Sequence, residues 1–74
     1  MTATDRYGNV FSEKETVFVK SGYHSKMDGR RFIIETISEF GSCESGNMIQ
    51  LIDEETGNLV KRKIDTNWLL KIKN

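Results

Sequence analysis

The chain has 74 residues, with eleven basic and eleven acidic side chains, so its formal net charge is zero. A chain of this length buries only about 60% of the surface that its unfolded state exposes. It has little room for an enclosed catalytic cleft, and an enzyme is therefore disfavoured. A neutral chain also has no global field that would draw it to nucleic acid or to an anionic membrane.

The single cysteine, Cys43, excludes an intramolecular disulfide and is typical of a reducing compartment, so we expect a cytoplasmic protein. The first thirty residues contain no apolar run long enough for a signal peptide. No stretch approaches the roughly 20 apolar residues of a transmembrane helix. His24 has neither a cysteine nor a second histidine near it, so the sequence predicts no metal site and no cofactor.

The chain begins with a polar segment, residues 1–12, which we expect to be a flexible lead-in pinned by Phe11 to a domain over 13–74. "TVFVK" (16–20) is a strand by composition. In this strand Val17 and Val19 share one face.

The second predicted strand, "RRFIIETIS" (30–38), carries apolar residues on both faces. Phe32 and Ile34 face one way, and Ile33, Glu35 and Ile37 face the other. A strand that is apolar on both sides is expected to be central and strongly curved. The glycine- and serine-rich segment 39–47 is a loop.

A hairpin is predicted next. "MIQLID" (48–53) is a strand, "EETG" (54–57) is a tight turn with Gly57 in the left-handed position, and "NLVKRKI" (58–64) is a fourth strand. In the fourth strand the alternation places Val60, Arg62 and Ile64 on one face.

The chain then shows a short helical turn, "DTNW" (65–68), capped by Asp65 or Thr66. "WLLKIK" (68–73) alternates, which predicts a strand with Trp68, Leu70 and Ile72 inward and Leu69, Lys71 and Lys73 outward. Five short strands with one helical turn before the last predict an all-β, small five-stranded barrel, since closure removes exposed sheet edges.

The segment "VFVKSGYHSKMDGRRFII" (17–34) has an apolar strand, Gly22, six residues, Gly29, and a basic-to-apolar strand. This pattern resembles the KOW motif of SH3-like barrels in ribosomal proteins and transcription elongation factors. The chain departs from the motif at two places. The family often has another glycine inside the loop, where this chain has Lys26, and commonly has a Gly-Asp pair where this chain has Lys14-Glu15. The resemblance implies an SH3-like barrel whose glycine-flanked loop contacts RNA or a partner protein.

The loop also carries the main candidate binding residues: Tyr23, His24, Lys26, Arg30 and Arg31. An aromatic ring can stack on a base, and arginine can pair bidentately with phosphate. The alternative is a solvated loop whose charges serve solubility.

A second candidate is a basic stripe that joins Lys61 and Lys63 to Lys71 and Lys73. Its alternative is ordinary protection of strand edges. Phe18 faces away from Val17 and Val19 and is a candidate partner contact.

Two further features have plainer readings. The acids of residues 53–55 are interpreted as turn chemistry, and Trp68 as core, with an exposed ring at the barrel mouth as the alternative.

Two functions remain open from the sequence. The zero net charge favours a protein-binding adaptor or inhibitor, a small regulatory protein of bacterial or phage type. The motif resemblance favours an RNA- or nucleic-acid-binding domain associated with the transcription or translation machinery. A homo-oligomer joined at strand edges is compatible with either. A contiguous basic face on the folded surface would favour RNA, and an interleaved surface with an apolar patch would favour protein.

Overall fold

The computed structural model describes residues 1–72. Within these residues the secondary structure consists of β-strands and two 3₁₀ turns. The strands are β1 (Thr2–Thr4), β2 (Val10–Ser12), β3 (Thr16–Val19), β4 (Arg31–Glu39), β5 (Asn47–Asp53), β6 (Ile64–Asp65) and β7 (Leu69–Lys71), and the 3₁₀ turns are Ser25–Met27 and Thr66–Trp68. The predicted all-β class is confirmed.

The strands form two antiparallel sheets. β1 and β2 make a hairpin, and the other five strands follow the order β6-β5-β4-β3-β7. β6 and β7 are the two edges of the larger sheet, and no ladder joins them within residues 1–72. The closed five-stranded barrel expected from the sequence is therefore not formed. Both edge strands are very short, and the 3₁₀ turn Thr66–Trp68 carries the chain from one edge to the other.

β4 is the central strand, as predicted, and it contains a β-bulge. Ile34 lies opposite Leu51 but Thr36 lies opposite Gln50, so β4 holds one extra residue at Glu35. A bulge bends the strand and shifts the alternation of its side chains. As a result Ile37 is buried, like Ile34, and its predicted placement on the opposite face is wrong.

Every strand contributes to one hydrophobic core, which lies between the curved sheet and the β1–β2 hairpin. Its buried apolar members are Ala3, Phe11, Val17, Val19, Phe32, Ile34, Ile37, Ile49, Leu51, Ile64 and Leu69. Because the hairpin contributes Ala3 and Phe11, it belongs to the packed body of the protein.

The sequence predicted no strand within residues 1–12, but these residues form the β1–β2 hairpin. A buried carboxylate, that of Asp5, stabilises its turn. The side chain of Asp5 accepts hydrogen bonds from the backbone N–H of Tyr7 at 3.0 Å and from the backbone and side chain of Asn9 at 2.9 and 3.0 Å. Burial alone would raise the pKa of Asp5, but the hydrogen bonds from Asn9 and Tyr7 outweigh it and the pKa is lowered. This turn is therefore stabilised by the ionised form of Asp5.

Several contacts attach the hairpin to the rest of the protein, among them those of Phe11 and Arg6. The Phe11 ring is fully buried, with the Lys71 ammonium 5.2 Å from its centroid. The Arg6 backbone N–H donates to Oδ1 of the buried Asn67 at 2.8 Å. Phe11 thus anchors the N-terminal segment, as expected.

The predicted turn at 54–57 is confirmed, with Gly57 at φ +75°, but the fourth strand over 58–64 is not. Leu59 bridges Ile52, and pairing with β5 resumes only where Ile64 lies opposite Ile49. Between these two paired positions the chain advances by five residues, from Leu59 to Ile64, while β5 advances by only three, from Ile52 to Ile49. The extra residues form an outward loop at residues 61–63, which are three consecutive cations and are all exposed. A run of charges has no apolar side chain to hold it against the sheet.

The inside and outside faces of the last strand are the reverse of the prediction. Leu69 is buried opposite Val19, whereas Trp68 and Leu70 are 38% and 45% exposed. The 3₁₀ turn, capped by Asp65, extends through Trp68, so the strand alternation begins one residue later than the sequence pattern indicated. Lys73, which was predicted to face outward and to belong to the basic stripe, lies outside the described residues.

Candidate ligand-binding cleft

An open cleft of about 730 Å³ lies between the loop 20–30, the loop 40–46 and the segment 60–68. We call it the Tyr23–Trp68 cleft. Its apolar and sulfur-containing lining consists of Tyr23, Met27, Cys43, Met48, Val60 and Trp68. The volume is in the range of small-ligand and side-chain pockets, about 300–1,000 Å³.

Two aromatic rings form one wall. The ring centroids of Tyr23 and Trp68 are 5.1 Å apart, with the planes tilted by 57°, a favourable edge-to-face type of contact. The Lys20 backbone N–H donates to the Trp68 carbonyl at 2.8 Å, which holds the end of β3 against the 3₁₀ turn. Gly22, at φ +94°, then turns the chain so that Tyr23 lies over Trp68.

The opposite side of the loop is shaped by the 3₁₀ turn Ser25–Met27. His24 caps this turn, because its Nδ1 accepts from the Lys26 backbone N–H at 3.3 Å. Met27 is half-buried and packs against the core. The chain leaves the loop at Gly29, whose φ of +74° lies in the left-handed region. Gly22 and Gly29 therefore both turn the chain through the left-handed backbone region that favours glycine.

The Cys43 thiol is held by backbone carbonyls at the far end of the cleft. Its Sγ donates to the carbonyl oxygen of Phe40 at 3.0 Å and to that of Asn47 at 3.3 Å. A thiol in this arrangement acts as a hydrogen-bond donor, and it supports the loop 40–46.

The rim of the cleft is basic. His24, Lys26, Arg62 and Lys63 line it, and within residues 1–72 none of them has a carboxylate at ion-pair distance. The outward loop of residues 61–63 places Arg62 and Lys63 here.

Asp65 is the acidic residue of the cleft wall. Burial would raise its pKa, but hydrogen bonds from the backbone N–H of Asn67 and from Ser45 outweigh it, so the pKa of Asp65 is lowered. Its carboxylate therefore stays charged at neutral pH and is committed to capping the 3₁₀ turn.

The structure divides the predicted loop patch into two parts. Tyr23, His24 and Lys26 line the cleft together with Lys63. Arg30 and Arg31 do not line the cleft and lie instead at the hairpin tip that follows β5.

At the tip, both arginines are paired with acids. The Arg30 guanidinium donates to Asp53 Oδ2 at 2.6 and 3.0 Å and lies 3.3 Å from Glu55, while Arg31 lies 3.4 Å from Glu54. Asp53 also accepts from the Glu55 backbone N–H at 2.9 Å. The acids of residues 53–55 therefore act in the turn, as interpreted, and neutralise both arginines.

The other predicted binding residues lie outside the cleft lining. Phe18 is half-buried in β3, opposite Arg31 and Leu70. Lys61 is exposed beside the cleft but does not line it. Lys71, a member of the proposed stripe, pairs with Glu15 at 2.8 Å.

Several cleft residues were missed from the sequence. Met27, Cys43, Met48, Val60, Arg62 and Asp65 were not predicted as binding residues, and for Trp68 an exposed ring was only the alternative to a core position. For Trp68 the length of the capped turn was the signal, because a 3₁₀ turn that includes the tryptophan places the next residue inward. Nothing local marks the methionines, since they meet only through the fold.

Among the described residues, no group of three or more histidine, cysteine, aspartate or glutamate side chains is placed to hold a metal ion. No helix in this part of the chain has the length and apolar character needed to cross a membrane. No family model, curated protein or solved structure matches the chain.

Proposed function

We propose that this chain is a non-enzymatic binding module that recognises a protein partner through the Tyr23–Trp68 cleft, as an adaptor or inhibitor. The observation that carries the proposal is an open apolar cleft with two aromatic rings on its wall and, at its rim, cations that have no carboxylate partner among residues 1–72. Protein interfaces have this anatomy, with aromatic and methionine contacts at the centre and polar groups around them.

The distribution of charge supports a protein partner over a nucleic acid. A contiguous basic face would need Arg30 and Arg31 beside Lys26, but both arginines are paired with acids at the hairpin tip. The surface is therefore interleaved, and three of the five cations without a carboxylate partner among residues 1–72, Lys26, Arg62 and Lys63, line an apolar cleft.

The cleft chemistry supports binding over catalysis. His24 and Cys43 both line it, but the histidine Nδ1 is used in capping and the thiol donates to two carbonyl oxygens. A nucleophilic cysteine is typically paired with a base that activates it, whereas the Cys43 Sγ contacts backbone carbonyl oxygens and supports the loop 40–46.

We further propose that the sheet is an open member of the SH3-like, KOW-type barrels. Five antiparallel strands with a 3₁₀ turn before β7 support this, as do the left-handed Gly22 and Gly29. Lys14 adds a further argument. It occupies a place where the motif commonly has glycine, and it has φ +71°, a conformation that glycine adopts without steric cost.

RNA binding is the second candidate, and one observation favours it. The Tyr23 and Trp68 rings lie beside Lys26 and Lys63, and aromatic rings with nearby cations can bind unpaired bases. Such binding would weaken steeply with salt.

The test is capture from a lysate of the source cells with immobilised chain, with and without nuclease. A cleft variant, Tyr23→Ala/Lys63→Glu, is compared with a tip variant, Arg30→Ala/Arg31→Ala, after circular dichroism and urea unfolding show that both fold. We expect a discrete protein that survives nuclease, is lost with the cleft variant and is retained by the tip variant. Loss with nuclease would support RNA, and loss with the tip variant alone would place binding outside the cleft.

A further inference from the structure

We infer that the occupant of the Tyr23–Trp68 cleft is an acidic peptide segment that carries one bulky apolar side chain. This inference depends on the proposed function and narrows the class of partner. It combines two properties of the same surface, a cationic rim without carboxylate partners in the described part of the chain and an apolar floor that can receive a side chain.

The rim supplies the preference for acidic residues. Arg6, Lys14, Arg30, Arg31 and Lys71 each have a carboxylate partner within the chain. Five cations have none among residues 1–72, and three of these, Lys26, Arg62 and Lys63, converge on one cleft. The other two are Lys20, which lies over the Tyr7 ring, and Lys61, which is outside the lining. Cations with no internal partner can pair with acids of a ligand, which raises the association rate and selects against basic segments.

The floor supplies the anchor. Met27 and Met48 face the cleft beside Val60, and methionine side chains are unbranched and adapt their shape to an incoming apolar group. A buried anchor surrounded by charged contacts is the arrangement that gives most interfaces their affinity. An acidic segment without an apolar residue would leave this floor empty.

The wall argues for a peptide over a nucleic acid. Asp65 keeps its negative charge beside the cleft and repels a phosphate backbone, whereas a peptide can place its acids away from that side. The Tyr23 ring is tilted at 57° against Trp68, so the two rings do not offer parallel faces between which a base could stack.

The test uses four labelled probes and fluorescence anisotropy at physiological salt. The first is a short glutamate-rich peptide with a central phenylalanine. The second replaces its glutamates by lysines, the third replaces its phenylalanine by serine, and the fourth is a single-stranded oligouridine. The protein variants are Lys63→Glu, in the rim, and Lys61→Glu, which makes the same charge change outside the lining.

We expect the first probe to bind about tenfold or more tightly than the second and third, because it alone satisfies both rim and floor. Lys63→Glu should weaken the first probe roughly three- to tenfold, as expected for losing one exposed ion pair and adding a repulsion, and Lys61→Glu should weaken it less than about twofold.

Other outcomes overturn the inference in different ways. Equal binding of both phenylalanine probes would remove the acidic preference and leave the proposed protein-binding function standing. If the serine probe bound as tightly as the first probe, the inference that a bulky apolar side chain occupies the cleft floor would be wrong. Tightest binding of oligouridine, sensitive to Lys63→Glu, would replace both the inference and the proposed function by nucleic-acid recognition. No binding of any probe overturns the inference, and lysate capture then decides the proposed function separately.

Discussion

Removal of the Phe11 ring should severely destabilise the protein. The ring is 0% exposed, in the hairpin formed by residues 2–12, and Phe11 is opposite the buried Ala3. Truncation of a buried phenylalanine to alanine typically costs about 3–5 kcal/mol. At roughly 0.05–0.15 kcal/mol per residue, a domain of this size has a total stability of only about 4–11 kcal/mol. Phe11→Ala should therefore consume a large part of the free energy of unfolding.

The assay is urea unfolding followed by the fluorescence of Trp68, the only tryptophan. The control is Val10→Ala, the neighbouring residue on the same strand, which is 47% exposed and should cost less than about 1 kcal/mol. A thermal melt should show the same order, since about 1 kcal/mol corresponds to a shift of about 4–8 °C in this size range.

A loss of unfolding free energy in Phe11→Ala no larger than that in Val10→Ala would contradict this prediction. In that case the hairpin would contribute nothing to the core, and residues 1–12 would behave as the flexible lead-in expected from the sequence. Equal and large losses from both variants would instead indicate that the exposed face of β2 is packed in solution.

Two further predictions concern the backbone and the titrating acids. Gly29→Ala should cost about 1–2 kcal/mol because φ is +74° there, while Gly41→Ala, at a glycine outside the left-handed region with open space around it, should be close to neutral; similar losses in urea midpoint would refute this. Folding lowers the pKa values of Asp5, Asp53 and Asp65, so their stabilisation is present above the unfolded value of about 4 and is lost as the pH falls through the lower folded values. The urea midpoint should decrease from pH 5 towards pH 2, and an unchanged midpoint across that range would contradict the assignment.

Much of the fold could be predicted because it depends on local pattern. The β3 and β4 segments are rich in β-branched and aromatic residues, and the turn at Gly57 has the residue type that its backbone requires. The cap at Asp65 was likewise readable, since aspartate commonly accepts hydrogen bonds at the start of a helical turn.

The errors arose where one residue changes the alternation of all that follow. The bulge at Glu35 moved Ile37 to the core, and the 3₁₀ turn moved Trp68 and Leu70 to the surface. Because successive side chains of a strand point to opposite faces, a shift of one residue moves every later side chain to the other face. Neither insertion has a sequence signature as strong as a glycine.

The candidate site was predictable only in part because its members come from distant segments. Tyr23, His24 and Lys26 were recognised from their loop, and Lys63 from its basic run. Their meeting with Met48 depends on the outward loop of residues 61–63 and on the order of strands in the sheet. Pairing of Arg30 with Asp53 also depends on tertiary structure, since only the folded hairpin brings them to 2.6 Å.

The pairing of β3 with β7, in which Val17 lies opposite Lys71, has a consequence for biosynthesis. Ribosomes add about 5–20 residues each second, so the hydrogen-bonding edge of β3 is without its partner for several seconds while the intervening residues are made. Non-local strand pairs also form slowly because their loop must close first. A nascent chain that stalls before β7 would present this edge to other chains, and self-association at that stage is the misfolding route that the topology favours.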